Sequence, residues 1–561
     1  MQKIISKVVN FFNKVWSKEY VRAFVYIYLL VLACLSLKAA RNNFTLPLTA
    51  DYAMQTYAFY SQGYKIFWNF VTTGEYPLFD FSNYLGANYL GTQSFYYVFS
   101  PLFYLLCLWP AKYLYQGIFF HMVFKYALGG FFMYVLLRRY FHVSFKMSWV
   151  GGFIYALSGW SLFYLWFHFG DAMAFFPLFI IGIERLLKER KGGVLAIGTF
   201  LCAMSNYFLF VNFIVFGVFY ALYRWIYIYG INKKRGFSAK ERWGVLLQGI
   251  CYAACGCLLA GICLFPSLHV ISSMSRNQTS KNYLLSLLEI FFVNPTNVDG
   301  IVLGELKAFK DIVSVSNIGD LLETIFIWKK GNYGPSNINV GYMLANWLFM
   351  NTNCWDSILF DQSSLDNSIG GMFITTPLTM LLIPSIVKAV KTKRPWTIFG
   401  VISCLILPFI PLTAHAAFAF SSIYGRWQIW IVLIGIIFII PTLDKFEEVD
   451  KKWITVNLVF NYLLATAAFV IAIDSGKLPT TYVKNFLGME IPGLVLIAIA
   501  ELVVMLLVWA VYRMKFIKAP LVKNIAIIIV IIEIAASSFS TVSQKGYHTW
   551  SNYYLSQPQY A

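Results

Sequence analysis

The amino-acid sequence predicts an all-α polytopic membrane protein of about thirteen transmembrane helices, with interfacial helices in its outer loops. Three observations carry that expectation. The 561 residues are 59% hydrophobic and 19% aromatic but only 12% charged, which is a membrane composition. Long apolar blocks recur along nearly the whole chain. The 44 basic residues, against 25 acidic, fall in short clusters between those blocks, as the positive-inside rule expects of cytoplasmic loops. Topology thus explains the net charge of +19, and no nucleic-acid partner is expected.

The segment 1–22 carries Lys3, Lys7, Lys14, Lys18 and Arg22, with Ile4, Ile5, Val8, Phe11, Phe12 and Val15 at helical spacing. It reads as a basic amphipathic helix on the cytoplasmic surface. The first span follows at about 23–40, which places residue 41 outside. The stretch 95–110 is apolar yet only 16 residues long, with an internal Ser-Pro. If it and the full-length 114–137 both crossed, Arg138, Arg139 and Lys146 would lie outside, against the rule. The stretch 95–110 is therefore expected as a re-entrant or interfacial piece buried against protein. Further spans are expected at about 146–167, 172–187, 194–207, 208–229, 243–265, 371–387, 396–413, 425–441, 454–473, 491–512 and 523–541. The pair within 194–229 is short for two crossings, so a broken helix is expected there. The amino terminus then lies inside and the carboxyl terminus outside.

A charge count agrees with this topology. Of the 44 Lys and Arg, 27 fall on cytoplasmic segments and 14 on the outer side, although the outer side has far more loop. Two long segments face outward, 41–113 and 266–370. The second is rich in Asn, Ser, Gly and Asp, contains the amphipathic run LLETIFIWKKGNYG, and suits a lid or substrate cap at the membrane surface. The chain divides accordingly into a cytoplasmic helix 1–22, an amino-terminal transmembrane module 23–265 with outer loop 41–113, a cap 266–370, a carboxyl-terminal transmembrane module 371–541 and a short outer tail 542–561.

Most of the nine cysteines lie in apolar stretches, so no disulfide framework is expected. Cys251, Cys255 and Cys257 sit in YAACGCLLAGICLF with no histidine or acid beside them, which favours small-residue helix packing over a metal. No small-residue cleavage site follows the first apolar run, so no cleavable signal peptide is expected. The chain contains no Gly-rich loop ending in Lys-Ser or Lys-Thr, no HExxH and no GxSxG. An activated substrate must then be reached from the outer side or the lipid, which points to a lipid-carried donor.

The chemistry-bearing residues cluster at outer helix ends. Asp51 and Gln55 in ADYAMQTYAFY are four apart, on one face if a helix starts near Asp51; Asp51 equally suits a helix N-cap. His168 and Asp171 occupy the very short outer loop HFGDA, where Asp171 too could be a cap. Arg426 opens a span in SSIYGRWQIW, with His415 nearby in PLTAHAAF. An outer-surface arginine needs a partner, and phosphate oxygens suit a guanidinium; headgroups, Asp51 or Asp171 are the other partners. Inside the spans lie His121, Lys125, Glu184, Glu501 and Glu533. They admit a proton relay, or a structural pairing such as Lys125 with Glu533, and Glu184 reads as interfacial.

The pattern DYAMQ after the first span, then FDFSNYLGANYLGTQSFYYVFSPL, PLFIIGIERLL, NYFLFVNF, IYGRWQIW and IEIAASSFS, resembles the YfhO family of bacterial membrane proteins. That family belongs to the polytopic glycosyltransferases of GT-C architecture. The resemblance implies a GT-C-like fold in the bacterial cytoplasmic membrane. It implies an inverting enzyme that moves a sugar from an undecaprenyl-phosphate carrier to a cell-surface polymer such as wall teichoic or lipoteichoic acid. An essential acid in the first outer loop would be Asp51, and a second acid in the next outer loop would be Asp171. An arginine holding the lipid phosphate would be Arg426, with Arg276 second. One departure is that this chain ends about twenty residues past the last expected span, where such proteins typically carry an extracellular domain.

On this reading Asp51 is the general base, Arg426 stabilises the leaving phosphate, and Asp171, His168 and Gln55 position acceptor or sugar. Two carboxylates alone make a poor divalent site, so a reaction without metal or other cofactor is expected. The partners implied are a polyprenyl-phosphate-linked sugar, a polymer acceptor and membrane lipid, with functional links to a donor-synthesising enzyme and a flippase. The rival expectations are a transporter or flippase for a lipid-linked glycan and a non-catalytic scaffold of cell-wall assembly. The identity of the sugar and of the acceptor polymer, and the oligomeric state, are left open.

Overall fold

The computed structural model describes residues 18–45, 57–80, 86–165, 168–231, 236–272, 278–298, 301–326, 340–350, 371–392, 401, 410–417, 425–474, 483–486, 489–514 and 516–543. Within them the chain is predominantly helical. Seven helices are long and apolar enough to cross a membrane: Glu19–Ala39, Ala111–Tyr140, Tyr207–Gly230, Ala239–Leu259, Arg426–Asp444, Lys452–Ile471 and Ala519–Thr541. Helix also occupies every other expected span except 396–413, most of which lies outside the described residues, as do residues 1–17.

Several expected spans are not continuous helices. The stretch 146–167 divides at Leu157–Ser158 into Phe145–Ala156 and Gly159–Phe163. The stretch 243–265 turns at Ala260, and 371–387 contains two short helices, Thr376–Thr379 and Leu382–Lys391, after a non-helical start. The break expected within 194–229 falls at Asn206. That fully buried side chain accepts from the Leu209 amide at 2.9 Å and donates to the Phe95 carbonyl at 2.9 Å, supplying partners that a broken helix needs away from water.

The helical architecture agrees with the all-α expectation; among the described residues three short antiparallel hairpins occur in the connecting segments: Phe79–Asp80 with Ala87–Asn88, Phe292–Val298 with Ile301–Leu306, and Val483–Phe486 with Met489–Pro492. The second has Asp299-Gly300 between its strands in sequence, the dipeptide favoured by two-residue hairpin loops.

Ten helices position the site and its frame: α1 (Glu19–Ala39), α2 (Ala58–Thr73), α3 (Pro101–Leu106), α4 (Leu114–Val135), α5 (Phe145–Ala156), α6 (Gly170–Glu189), α7 (Tyr207–Trp225), α8 (Ile429–Asp444), α9 (Gly493–Arg513) and α10 (Ala519–Ser543). Small residues let α4 approach α5 and α6. A Cβ on Gly130 would stand 2.6 Å from the Gly152 carbonyl oxygen, and one on Gly129 would stand 3.1 Å from the Ala174 Cα. Gly130→Ala is therefore expected to destabilise the fold by about 1–3 kcal/mol through overpacking, read as a lower unfolding temperature in detergent. An unchanged unfolding temperature would show that the helices part freely.

Charged residues fasten the opposite, basic-rich end. Helix α1 starts at Glu19, four residues before the expected span, because that carboxylate accepts from Arg138 Nε at 2.6 Å and Tyr134 at 2.7 Å. Glu184 is fully buried, with Arg224 Nε at 2.5 Å, Lys188 Nζ at 3.1 Å and the Tyr220 hydroxyl at 2.7 Å. Asp444 of α8 accepts from the amide and hydroxyl of Ser144 at 2.9 and 2.5 Å, joining α8 to the start of α5. Of the run expected to pack through small residues, Cys251 and Cys255 are exposed and Cys257 is half-buried. The close contact falls instead to Gly256, where a Cβ would lie 2.5 Å from the Ala196 carbonyl oxygen.

Candidate functional site

The stretch 95–110 is not a span. Turns occupy 94–99, α3 has only six residues, and Pro101 opens it where a missing N–H costs nothing. Ser100 precedes α3 yet makes no capping bond with its side chain. Its hydroxyl donates instead to Asp171 Oδ2 on α6. The segment is pinned further by Trp68 Nε1 to the Cys107 carbonyl at 3.0 Å and Tyr64 to the Trp109 carbonyl at 2.8 Å, both from α2, and by His121 Nε2 to the Leu102 carbonyl at 2.6 Å.

Asp171 has no exposed surface, and its Oδ1 pairs with the ammonium of Lys125 on α4. Lys125 also donates to the Tyr60 hydroxyl of α2 at 3.0 Å, with its ammonium 5.2 Å from that ring's centre. One buried network thus joins α2, the residue before α3, α4 and the first turn of α6. A buried lysine is tolerated because carboxylate, hydroxyl and aromatic face together replace its hydration.

This geometry corrects the pairing of Lys125 with Glu533. Glu533 of α10 accepts from the Thr376 amide at 2.9 Å, and Glu501 of α9 accepts from the Thr376 hydroxyl at 3.2 Å. Glu533 thus serves the backbone, and Glu501 the Thr376 hydroxyl, where 371–387 is broken. Asp171 is likewise occupied by Lys125 and Ser100 rather than by Arg426.

Above the network, the loop before α6 forms an aromatic cradle. The His168 ring lies among Phe95, Tyr96 and Phe169, with centroids 4.6, 4.9 and 4.4 Å away. It is 3% exposed, and its Nε2 has no hydrogen-bond partner among the described residues. The half-buried Arg426 guanidinium lies 4.4 Å from the Phe169 centroid and 5.2 Å from that of Phe208 on α7. Its backbone carbonyl accepts from Trp160 Nε1 at 2.8 Å, which fixes the start of the 426–444 span beside the loop.

The structure therefore places His168 and Arg426 against Phe169, two residues before Asp171, whose carboxylate is engaged by Lys125 and Ser100. Asp51, Gln55 and Arg276 lie outside the described residues. His415 is buried on the helix Pro411–Ala417. Among the described residues no three His, Cys, Asp or Glu side chains gather as a metal site. Sequence reasoning missed Tyr60 and Ser100 and left Lys125 without its true partner. The usable signal was Lys125 itself, since a lysine in an apolar span demands an acid and Asp171 stands in the first turn of a helix.

A sequence model of the family described as "Bacterial membrane protein YfhO" matches residues 23–320. The chain is also similar to a protein of Bacillus subtilis (strain 168) named "Uncharacterized protein YfhO", 33% identical over 76 residues. That match covers 12% of this chain and 9% of the relative's length.

Proposed function

This chain belongs to the YfhO family of bacterial membrane proteins, and from that premise we propose that it is an inverting glycosyltransferase of GT-C type. It moves a sugar from undecaprenyl monophosphate to a cell-surface glycopolymer, such as wall teichoic or lipoteichoic acid, on the outer face of the membrane. The observation that carries this reading is the half-buried Arg426 guanidinium beside the loop holding His168 and Asp171. A guanidinium in partly desolvated aromatic surroundings suits a lipid phosphate, and its charge stabilises the phosphate as the leaving group. Asp51 is the general base in this mechanism, and Gln55 positions the acceptor. Asp171 contributes by fixing the loop rather than by touching sugar, because both its oxygens are engaged.

The test is transfer by the purified full chain from polyprenyl-phosphate sugars to teichoic acid acceptors. Arg426→Gln is expected to lower kcat/KM by about 10²-fold or more, the order seen for removing one donor to developing charge. Equal kcat/KM in that variant removes Arg426 from the mechanism. A transporter reading has one specific observation in its favour, the buried Glu501 and Glu533 at the broken 371–387 segment, since irregular backbone beside buried acids marks many ion-coupled carriers. Movement of lipid-linked glycan across vesicles without any transfer would select it.

A further inference from the structure

We infer that His168 is the second phosphate ligand of this site, acting with Arg426 on a polyprenyl phosphate. The inference rests on the reading of Arg426 as a phosphate-binding residue and adds a residue and a geometry to it. His168 Nε2 is a polar atom shut among aromatic rings with no partner among the described residues. Such atoms are normally satisfied, and one left open beside a cation marks a place for a ligand.

Three features agree on an anion. The Arg426 guanidinium and the His168 ring each lie 4.4 Å from the Phe169 centroid, so they are within about 9 Å of one another. A phosphate that accepts a hydrogen bond of about 2.8 Å on each of two oxygens can engage two donors that are separated by less than that bound. The amino terminus of α6 begins two residues after His168, and a helix of that length presents partial positive charge there. Asp171, the acid in that first turn, is neutralised by Lys125 and does not cancel the field. The rings of Phe95, Tyr96, Phe169 and Phe208 give the apolar wall that an isoprenoid tail or a sugar face packs against. A neutral imidazole suffices, since the tautomer protonated at Nε2 donates one hydrogen bond.

The test measures binding alone. Geranylgeranyl phosphate, geranylgeraniol and inorganic phosphate are titrated into the full chain in detergent, following tryptophan fluorescence; Trp160 reports directly, being bonded to the Arg426 backbone. The phosphate-bearing lipid is expected to bind well above the alcohol. His168→Phe, which keeps the aromatic packing, is expected to lose about 10-fold of that preference while leaving alcohol binding unchanged, and His168→Gln to restore part of it. An unchanged preference in His168→Phe overturns the inference, as does a preference for inorganic phosphate over the lipid. If His168→Phe does not fold, wild-type protein with 15N-labelled histidine decides. The lipid phosphate must shift one Nε2 resonance that is missing in His168→Gln, and no shift overturns the inference. Loss of binding in His168→Phe without any sugar transfer by wild type would leave this inference standing and remove the glycosyltransferase reading. Transfer with normal binding in the variant would do the reverse.

Discussion

Lys125→Met is expected to destabilise the protein by about 3–5 kcal/mol, the cost typical of stranding one charge of a buried pair. Asp171 is fully buried and would keep only the Ser100 hydroxyl, which cannot replace a cation in surroundings of low dielectric. The loss is not local, because Lys125 also holds Tyr60 of α2. The segment between α2 and α3 should therefore become sensitive to proteolysis before the helical bundle unfolds. The double variant Lys125→Met/Asp171→Asn removes both charges and keeps a group able to bond Ser100, so it should recover most of the stability. Thermal unfolding followed by size-exclusion chromatography measures both. A single variant as stable as wild type would show that water reaches Asp171 and that the network is not a lock.

Asp51→Asn is expected to reduce sugar transfer by about 10²–10⁴-fold, the usual contribution of a positioned base, with donor binding retained. Asparagine is isosteric but cannot take the acceptor's proton, so the loss should fall on kcat rather than KM. Full transfer by this variant would falsify the role of Asp51. The pair of experiments separates two proposed roles: Asp171 is expected to act through structure, Asp51 through the reaction.

The two acids also show why the site was only partly legible. Asp171, His168 and Arg426 could be chosen because each stands at the end of an apolar block, and the charge pattern assigns those ends to one side. That His168 and Arg426 meet on one phenylalanine depends on how the 426–444 span docks beside the loop before α6, a contact between residues about 250 positions apart in sequence. Ser100 offered a different difficulty. Before a proline it looks like an ordinary helix cap, and only the fold turns its hydroxyl away from the backbone toward Asp171.

What the sequence determined by itself is the class of molecule, a helical membrane protein. Apolar length and basic clusters are one-dimensional properties, and the lipid enforces them segment by segment. It also announced that 95–110 is too short to cross and that 194–229 must be broken. Only the tertiary structure decided where the charges find their partners: Lys125 with Asp171 rather than Glu533, Glu184 with Arg224, and Glu501 and Glu533 with the hydroxyl and amide of Thr376 in a broken span. A buried charge is stable only beside a particular neighbour. That neighbour is supplied by helix packing, here set by the close approach of Gly129 and Gly130 to α6 and α5, and not by anything adjacent in the chain.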